Sequence, residues 1–215
     1  MLPGLGADAR LMQPQRAAFN NATTPDWIKP SPGESLPEYA NRFAATIPIN
    51  KDDILLGVSF GGMVALEIAR QRPVRAIILI ASCRHPRSIA PAVTRFASVG
   101  LRFPIPNAAR RLAPLAIPVL GPMNPDHRKL LMDMAETTSM DFLRWGARAI
   151  LGWAGVESVT CPTLHIHGRR DRVILCKAVR ADAEVPGAGH VVNLTHAPEV
   201  NEAVRAFLDS LRTGS

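Results

Sequence analysis

One stretch constrains this chain more than any other: residues 54–69, reading ILLGVSFGGMVALEIA. The run Ile54 to Val58 is apolar without alternation, the pattern of a strand covered on both faces. Met63, Val64, Leu66 and Ile68 follow at the density of a buried helix, which Pro73 ends. Almost no chain is left between the two, only Gly57-x-Ser59-x-Gly61. A serine in so short a strand-to-helix connection sits on a strained turn with its hydroxyl exposed at the carboxyl end of the sheet. Glycines at 57, 61 and 62 let strand and helix approach without a Cβ between them. The motif by itself occurs by chance in many loops. The strand before it and the helix after it are the context that makes Ser59 a nucleophile candidate.

The 215 residues, 47% of them hydrophobic, suffice for one domain with a large core and an insertion. No apolar run reaches the 18 or so residues of a membrane span, and the start lacks the pattern of a signal peptide, so a soluble cytoplasmic protein without integral membrane association is expected. Cys83, Cys161 and Cys176 are widely spaced and read as ordinary buried thiols. The net charge of +7 raises the question of nucleic acid. Its excess falls in residues 84–156, which hold ten basic and four acidic side chains mixed with proline and aliphatics. No Arg-rich helix, zinc-finger spacing or aromatic RNA-binding signature accompanies them, so no nucleic-acid partner is expected.

Along the chain, Pro3-Gly4-Leu5-Gly6 reads as a glycine turn after a strand end, with Asp8 capping a short helix that Pro14 disturbs. Asp26 to Pro30 reads as a short strand. Ser35 and Glu38 form a capping box for a helix to about Ile47. Arg75 to Ala81 is a second continuous apolar strand, and strand, helix, strand in succession predicts a parallel sheet with helices on both faces. From Arg84 to about Gly155 proline recurs at 86, 91, 104, 106, 114, 118, 122 and 125 and the pattern is of short helices. Three apolar stripes are predicted there: Val93, Phe96, Val99 and Phe103; Leu130, Leu131 and Met134; Phe142, Trp145, Ala149, Ile150 and Trp153. Strand character resumes at Cys161 to His167, ending in Gly168-Arg169-Arg170-Asp171. Ala181 to Val185 is the last candidate strand. Pro198 opens a final helix whose Val200, Val204, Phe207, Leu208 and Leu211 form one apolar face.

Ser59 on its turn, Asp171 in Gly-x-x-Asp after a later strand and His190 in Gly-x-Gly-His before the last helix occur in that order. This order resembles the α/β-hydrolase superfamily, over nearly the whole chain. The resemblance implies a core of residues 1–83 and 157–215 with a helical lid inserted at 84–156. It also implies roles: Ser59 as nucleophile, His190 as its base, Asp171 as the carboxylate that orients the base, and the backbone amides of Leu5 and Phe60 as oxyanion donors. The chain departs from the family in lacking proline a few residues after the acid, where it reads Arg172-Val173-Ile174-Leu175. Met1-Leu2-Pro3 is too short for the inner strand that precedes the glycine turn. The first strands of that fold are therefore expected to be missing, leaving an exposed sheet edge beside Ser59.

Other candidates have plainer readings. His165 and His167 form a His-x-His pair on one face of a strand, without a spaced third ligand, and read as structural or site-wall histidines, so no metal is assigned. His196 competes with His190 but belongs to the start of the last helix. Serine in place of aspartate at the nucleophile position argues against the alkyl-enzyme chemistry of dehalogenases and epoxide hydrolases. The expected function is a cofactor-independent serine hydrolase acting on a carboxylic ester or thioester, with a small-molecule acyl substrate. A lyase or carbon–carbon hydrolase using the same three residues and a noncatalytic hydrolase-like binding protein are the alternatives.

Overall fold

The computed structural model describes residues 1–102 and 117–213. Phe103, Pro104, Pro106 and Pro114 lie outside the described residues. Four strands, β1 (Ile54–Val58), β2 (Ala76–Ile80), β3 (Thr163–Gly168) and β4 (Ala183–Val185), form one parallel sheet in the order β1-β2-β3-β4. The register pairs Gly57 with Leu79 and Val58 with Ile80, then Ile80 with Ile166, then Gly168 with Val185. The carboxyl ends of the strands are thus aligned, and the loops that leave them share one edge of the sheet.

Period-two alternation within β1 and β2 divides their side chains between two cores. Leu55, Ile77 and Leu79 enter the core built with α2 (Leu36–Ala45) and α3 (Phe60–Gln71). Leu56, Val58, Ile78 and Ile80 enter the other, closed by Val192 and Leu194 and by α8 (Ala197–Thr213), whose buried contacts are Val200 and Val204. Burial on both faces explains why these strands read as continuous apolar runs. On the outer side of β1, Leu2 forms a single parallel bridge to Gly57, exchanging backbone bonds of 2.8 and 3.0 Å with Leu56 and Val58.

Local signals explain most boundaries. Asp8 caps the turn Ala9–Met12 through the Arg10 amide, and Ser35 and Glu38 make the reciprocal capping box of α2. Pro14 does not break the first helix. It occupies the first turn of α1 (Gln13–Ala18), where its missing N–H costs nothing. Residues 26–30 form no strand and pair with neither edge of the sheet. Trp27 instead joins an aromatic cluster with Tyr39, Phe43, Phe60 and Phe142, and the Tyr39 hydroxyl donates to the Ile28 carbonyl.

Between β2 and β3 the described chain is helical, with α4 (Pro91–Arg102), α5 (Pro125–Thr137) and α6 (Met140–Leu151). Of the two later stripes, Met134, Phe142, Trp145, Ala149 and Trp153 are buried as the sequence predicts, and Leu130, Leu131 and Ile150 are half-buried. Trp153 is fixed by donating from Nε1 to Glu67 of α3 at 2.7 Å. The α4 stripe differs: Val93 is half-buried, but Phe96 and Val99 face outward. An apolar stripe specifies an amphipathic helix, not the surface that covers it. Among the described residues no helix is long and apolar enough to cross a membrane.

Candidate active site

β1 delivers Ser59 to the carboxyl edge, and the turn into α3 holds it at φ 51°, ψ −117°. This left-handed backbone is costly for a residue with a Cβ. Its surroundings hold it there: the Ser59 amide donates to Ile80, its carbonyl accepts from Gly62, and Ser82 Oγ donates to that carbonyl at 2.7 Å. The turn closes because Gly57 faces Gly61 and Gly62 backbone to backbone, with no room for a Cβ.

The loop after β3 brings Asp171, and the loop after β4 brings His190. His190 Nε2 lies 2.9 Å from Ser59 Oγ, and His190 Nδ1 lies 2.8 Å from Asp171 Oδ2. The other carboxylate oxygen, Oδ1, accepts the amides of Val173 at 2.8 Å and Ile174 at 3.0 Å. Those two bonds shape the loop that lacks the family's proline. The His190 backbone is tied to the helical segment through the Leu120 carbonyl at 2.8 Å. Burial by itself would raise the Asp171 pKa, but the attraction of His190 and the hydrogen bonds from His167 and His190 hold the carboxyl well below the usual carboxylate range. Asp171 is therefore ionised at neutral pH.

Ser59 and His190 open onto a cavity of about 400 Å³. Its wall is almost wholly aliphatic, including Met63, Ile89, Leu131, Leu143, Ile150 and Ile174. Leu5 and Phe60 also line it, each beside the serine turn. Phe60 is the first residue of α3, so its amide has no intrahelical acceptor and lies at the positive end of the helix dipole.

The remaining sequence candidates fall elsewhere. His196 caps the short helix α7 (Val192–Thr195) and pairs its Nδ1 with Thr195 Oγ1 at 2.9 Å, whereas the partner of Ser59 Oγ is His190. Cys83 is buried, and burial pushes its thiol up to about 12, which removes it as a nucleophile at neutral pH. Among the described residues no group of three or more His, Cys, Asp or Glu side chains is arranged to hold a metal ion. His167, read from sequence only as a structural or wall residue, touches Asp171 directly: its Nε2 is 3.2 Å from Oδ2. Its position three residues before Arg170 and four before Asp171, at the end of β3, was the available signal.

Burial and the neighbouring His167 push the His165 pKa down to about 4, from an ordinary value of 6.5. The linkage sign follows directly. Between those two pH values the unfolded chain binds a proton at this position that the native chain does not, so stability falls as pH drops through that window. The expected loss from this group is about 3 kcal/mol between pH 7 and 4. Chemical denaturation across that range checks it: His165→Gln should flatten the pH dependence by this amount, and an unchanged slope would count against a neutral buried His165.

The sequence profile of the alpha/beta hydrolase family matches residues 1–203, and the chain belongs to that family. Solved structures with the same fold include a thermophilic esterase from Thermogutta terrifontis, 18% identical, with a TM-score of 0.75 over 98% of this chain and 88% of that one. An enol-lactonase from Burkholderia xenovorans, also 18% identical, gives 0.77 over 97% and 90%. A bromoperoxidase from Bacillus anthracis, again 18% identical, gives 0.72 over 97% and 90%. At such identities the likeness is one of fold, and the activities differ among the three. No curated protein matches the chain.

Proposed function

We propose that this alpha/beta hydrolase is a serine hydrolase that cleaves a carboxylic ester or thioester through an acyl-serine intermediate. The observation that carries the reading is the unbroken line from Ser59 Oγ to His190 Nε2 and from His190 Nδ1 to Asp171 Oδ2, at 2.9 and 2.8 Å. Serine is a weak nucleophile at neutral pH and needs a base in contact, and the base needs a carboxylate that fixes its tautomer. In the first step His190 Nε2 takes the Ser59 proton as Oγ attacks the carbonyl carbon. The amides of Leu5 and Phe60 receive the developing oxyanion, the imidazolium gives its proton to the leaving alcohol or thiol, and water resolves the acyl-serine by the same route.

The aliphatic wall of the cavity supports a substrate whose buried part is hydrocarbon. Apart from Ser59 and His190, the polar side chain in the wall among the described residues is that of Thr94, whose hydroxyl already donates to the Pro91 carbonyl at 3.0 Å. Residues 84–156 act in this reading as a lid over that pocket, with residues 1–83 and 157–215 as the hydrolase core.

The test pairs a fluorophosphonate probe with a substrate panel. The expected result is labelling at Ser59 and release of acid from aliphatic esters or thioesters. Cleavage of a diketone without ester hydrolysis would favour the carbon–carbon alternative. A protein that binds these compounds and turns none over would overturn the enzymatic reading.

A further inference from the structure

Two more imidazoles lie behind the carboxylate. His167, fully buried on β3, directs Nε2 at both Asp171 Oδ2 (3.2 Å) and the Ile174 carbonyl (2.9 Å), while its Nδ1 faces His165 Nε2 at 3.2 Å. The proton on the first nitrogen is fixed by its partners. A carbonyl oxygen and an ionised carboxylate only accept, so His167 Nε2 carries hydrogen and donates to both. His165 stands against His167 edge to face, with ring centroids 5.3 Å apart, and its backbone amide is pinned to Asp182 Oδ2 at 2.7 Å.

We propose that His167 is a positioning residue for the reaction at Ser59: its Nε2–H holds Asp171 Oδ2 on the line to His190 Nδ1, and His165 fixes the His167 ring. This rests on the acyl-serine reading above. The geometry separates the work of the two carboxylate oxygens. Oδ1 is held by the Val173 and Ile174 amides, which anchor the group but leave it able to turn about the bond to its Cβ. Oδ2 has two donors, His190 and His167, and only the second keeps its direction when His190 changes charge during the cycle.

The bond has an electrostatic consequence as well. A donor on Oδ2 draws off part of the carboxylate charge, so less of it is directed at His190. Without that donor the full charge pulls on the His190 proton, and the base is freed only at higher pH. The other charged or titratable groups about this string are Asp182 and Arg84, which act on His165, and Cys83 and Cys176, which lie within electrostatic reach of Asp171. None of these four is hydrogen-bonded to Oδ2 among the described residues.

The test compares His167→Leu, which removes the donor, with His167→Gln, whose amide nitrogen can occupy the Nε2 position. For His167→Leu the expected result is a kcat lowered roughly tenfold with KM within a factor of two. The acid limb of its rate profile should move to higher pH. His167→Gln should recover most of the rate and return the limb to its place. If the leucine variant does not fold, His167→Asn replaces it, since its shorter amide meets His165 but does not reach Asp171. Ring NMR titration of His190 in the same variants reads the shift without turnover. A limb and a His190 titration that ignore loss of the donor would overturn the proposal, as would a glutamine variant as impaired as the leucine one at equal melting temperature. Failure of the underlying reading looks different: Ser59→Ala would then keep its hydrolytic rate, whatever the His167 variants do.

Discussion

Ser59→Ala is expected to lower kcat for an ester substrate by about 10⁵-fold while leaving the melting temperature within a few degrees of the parent. The size follows from the way the three side chains act together. Removing Oγ leaves His190 with nothing to deprotonate, so its orientation by Asp171 no longer serves the reaction and the loss approaches that of the whole set. What survives is whatever the pocket and the oxyanion amides contribute to attack by water. Stability is spared because Oγ has one bond, to His190 Nε2, and reaches the cavity. Alanine keeps the Cβ at φ 51°, so the backbone strain of the turn is the same before and after. Steady-state assay and a thermal melt on the same preparation decide the matter. Activity retained within tenfold would remove Ser59 as the nucleophile.

Gly61→Ala is expected to cost about 3 kcal/mol of stability and most of the activity. The cause is space alone, since Gly61 has no left-handed backbone. An added Cβ would overlap the carbonyl oxygens of Leu2 and Pro3. Those atoms cannot simply give way, because the Leu2 carbonyl accepts the Val58 amide at 3.0 Å and the Leu2 side chain is buried in the core. Moving α3 outward instead would separate Gly61 from Gly57 and displace Ser59 and the Phe60 amide together. Gly152→Ala is the control: its nearest neighbour, the Arg148 carbonyl oxygen, is at an ordinary 3.5 Å, and the change should be neutral or slightly stabilising. Equal denaturation midpoints for the two variants would show that the close approach beneath the serine is not limiting.

Local chemistry determined a good deal of this protein by itself. Continuous apolar runs fixed β1 and β2, because a strand buried on both faces has no polar side to show. The Ser35–Glu38 box fixed the start of α2, since both bonds are made within four residues. Gly57, Ser59 and Gly61 fixed the turn, because few backbones pass from strand to helix in so little chain. Ser59 was legible as a candidate for the same reason, whereas Asp171 and His190 were legible through the order of their glycine-bearing loops after it, which resembles that of the α/β-hydrolase superfamily.

Tertiary structure decided what local pattern leaves open. Residues 26–30 have strand composition, yet they pair with neither edge of the sheet, and Trp27 found aromatic neighbours instead. Phe96 and Val99 follow helical spacing, but spacing cannot say whether a partner surface exists, and they face outward. The choice of His190 over His196 turned on which loop reaches Ser59 across 131 residues of chain, a matter of strand order and register. The contact of His167 with Asp171 arose in the same way. Alternation along β3 puts His165 and His167 on one face, but only the return of the following loop, tied to that imidazole through the Ile174 carbonyl, lays the carboxylate against it. Sequence specifies directions and local bonds over a few residues. Meetings between distant segments depend on how the sheet aligns its strand ends, and that is settled only when the two cores close.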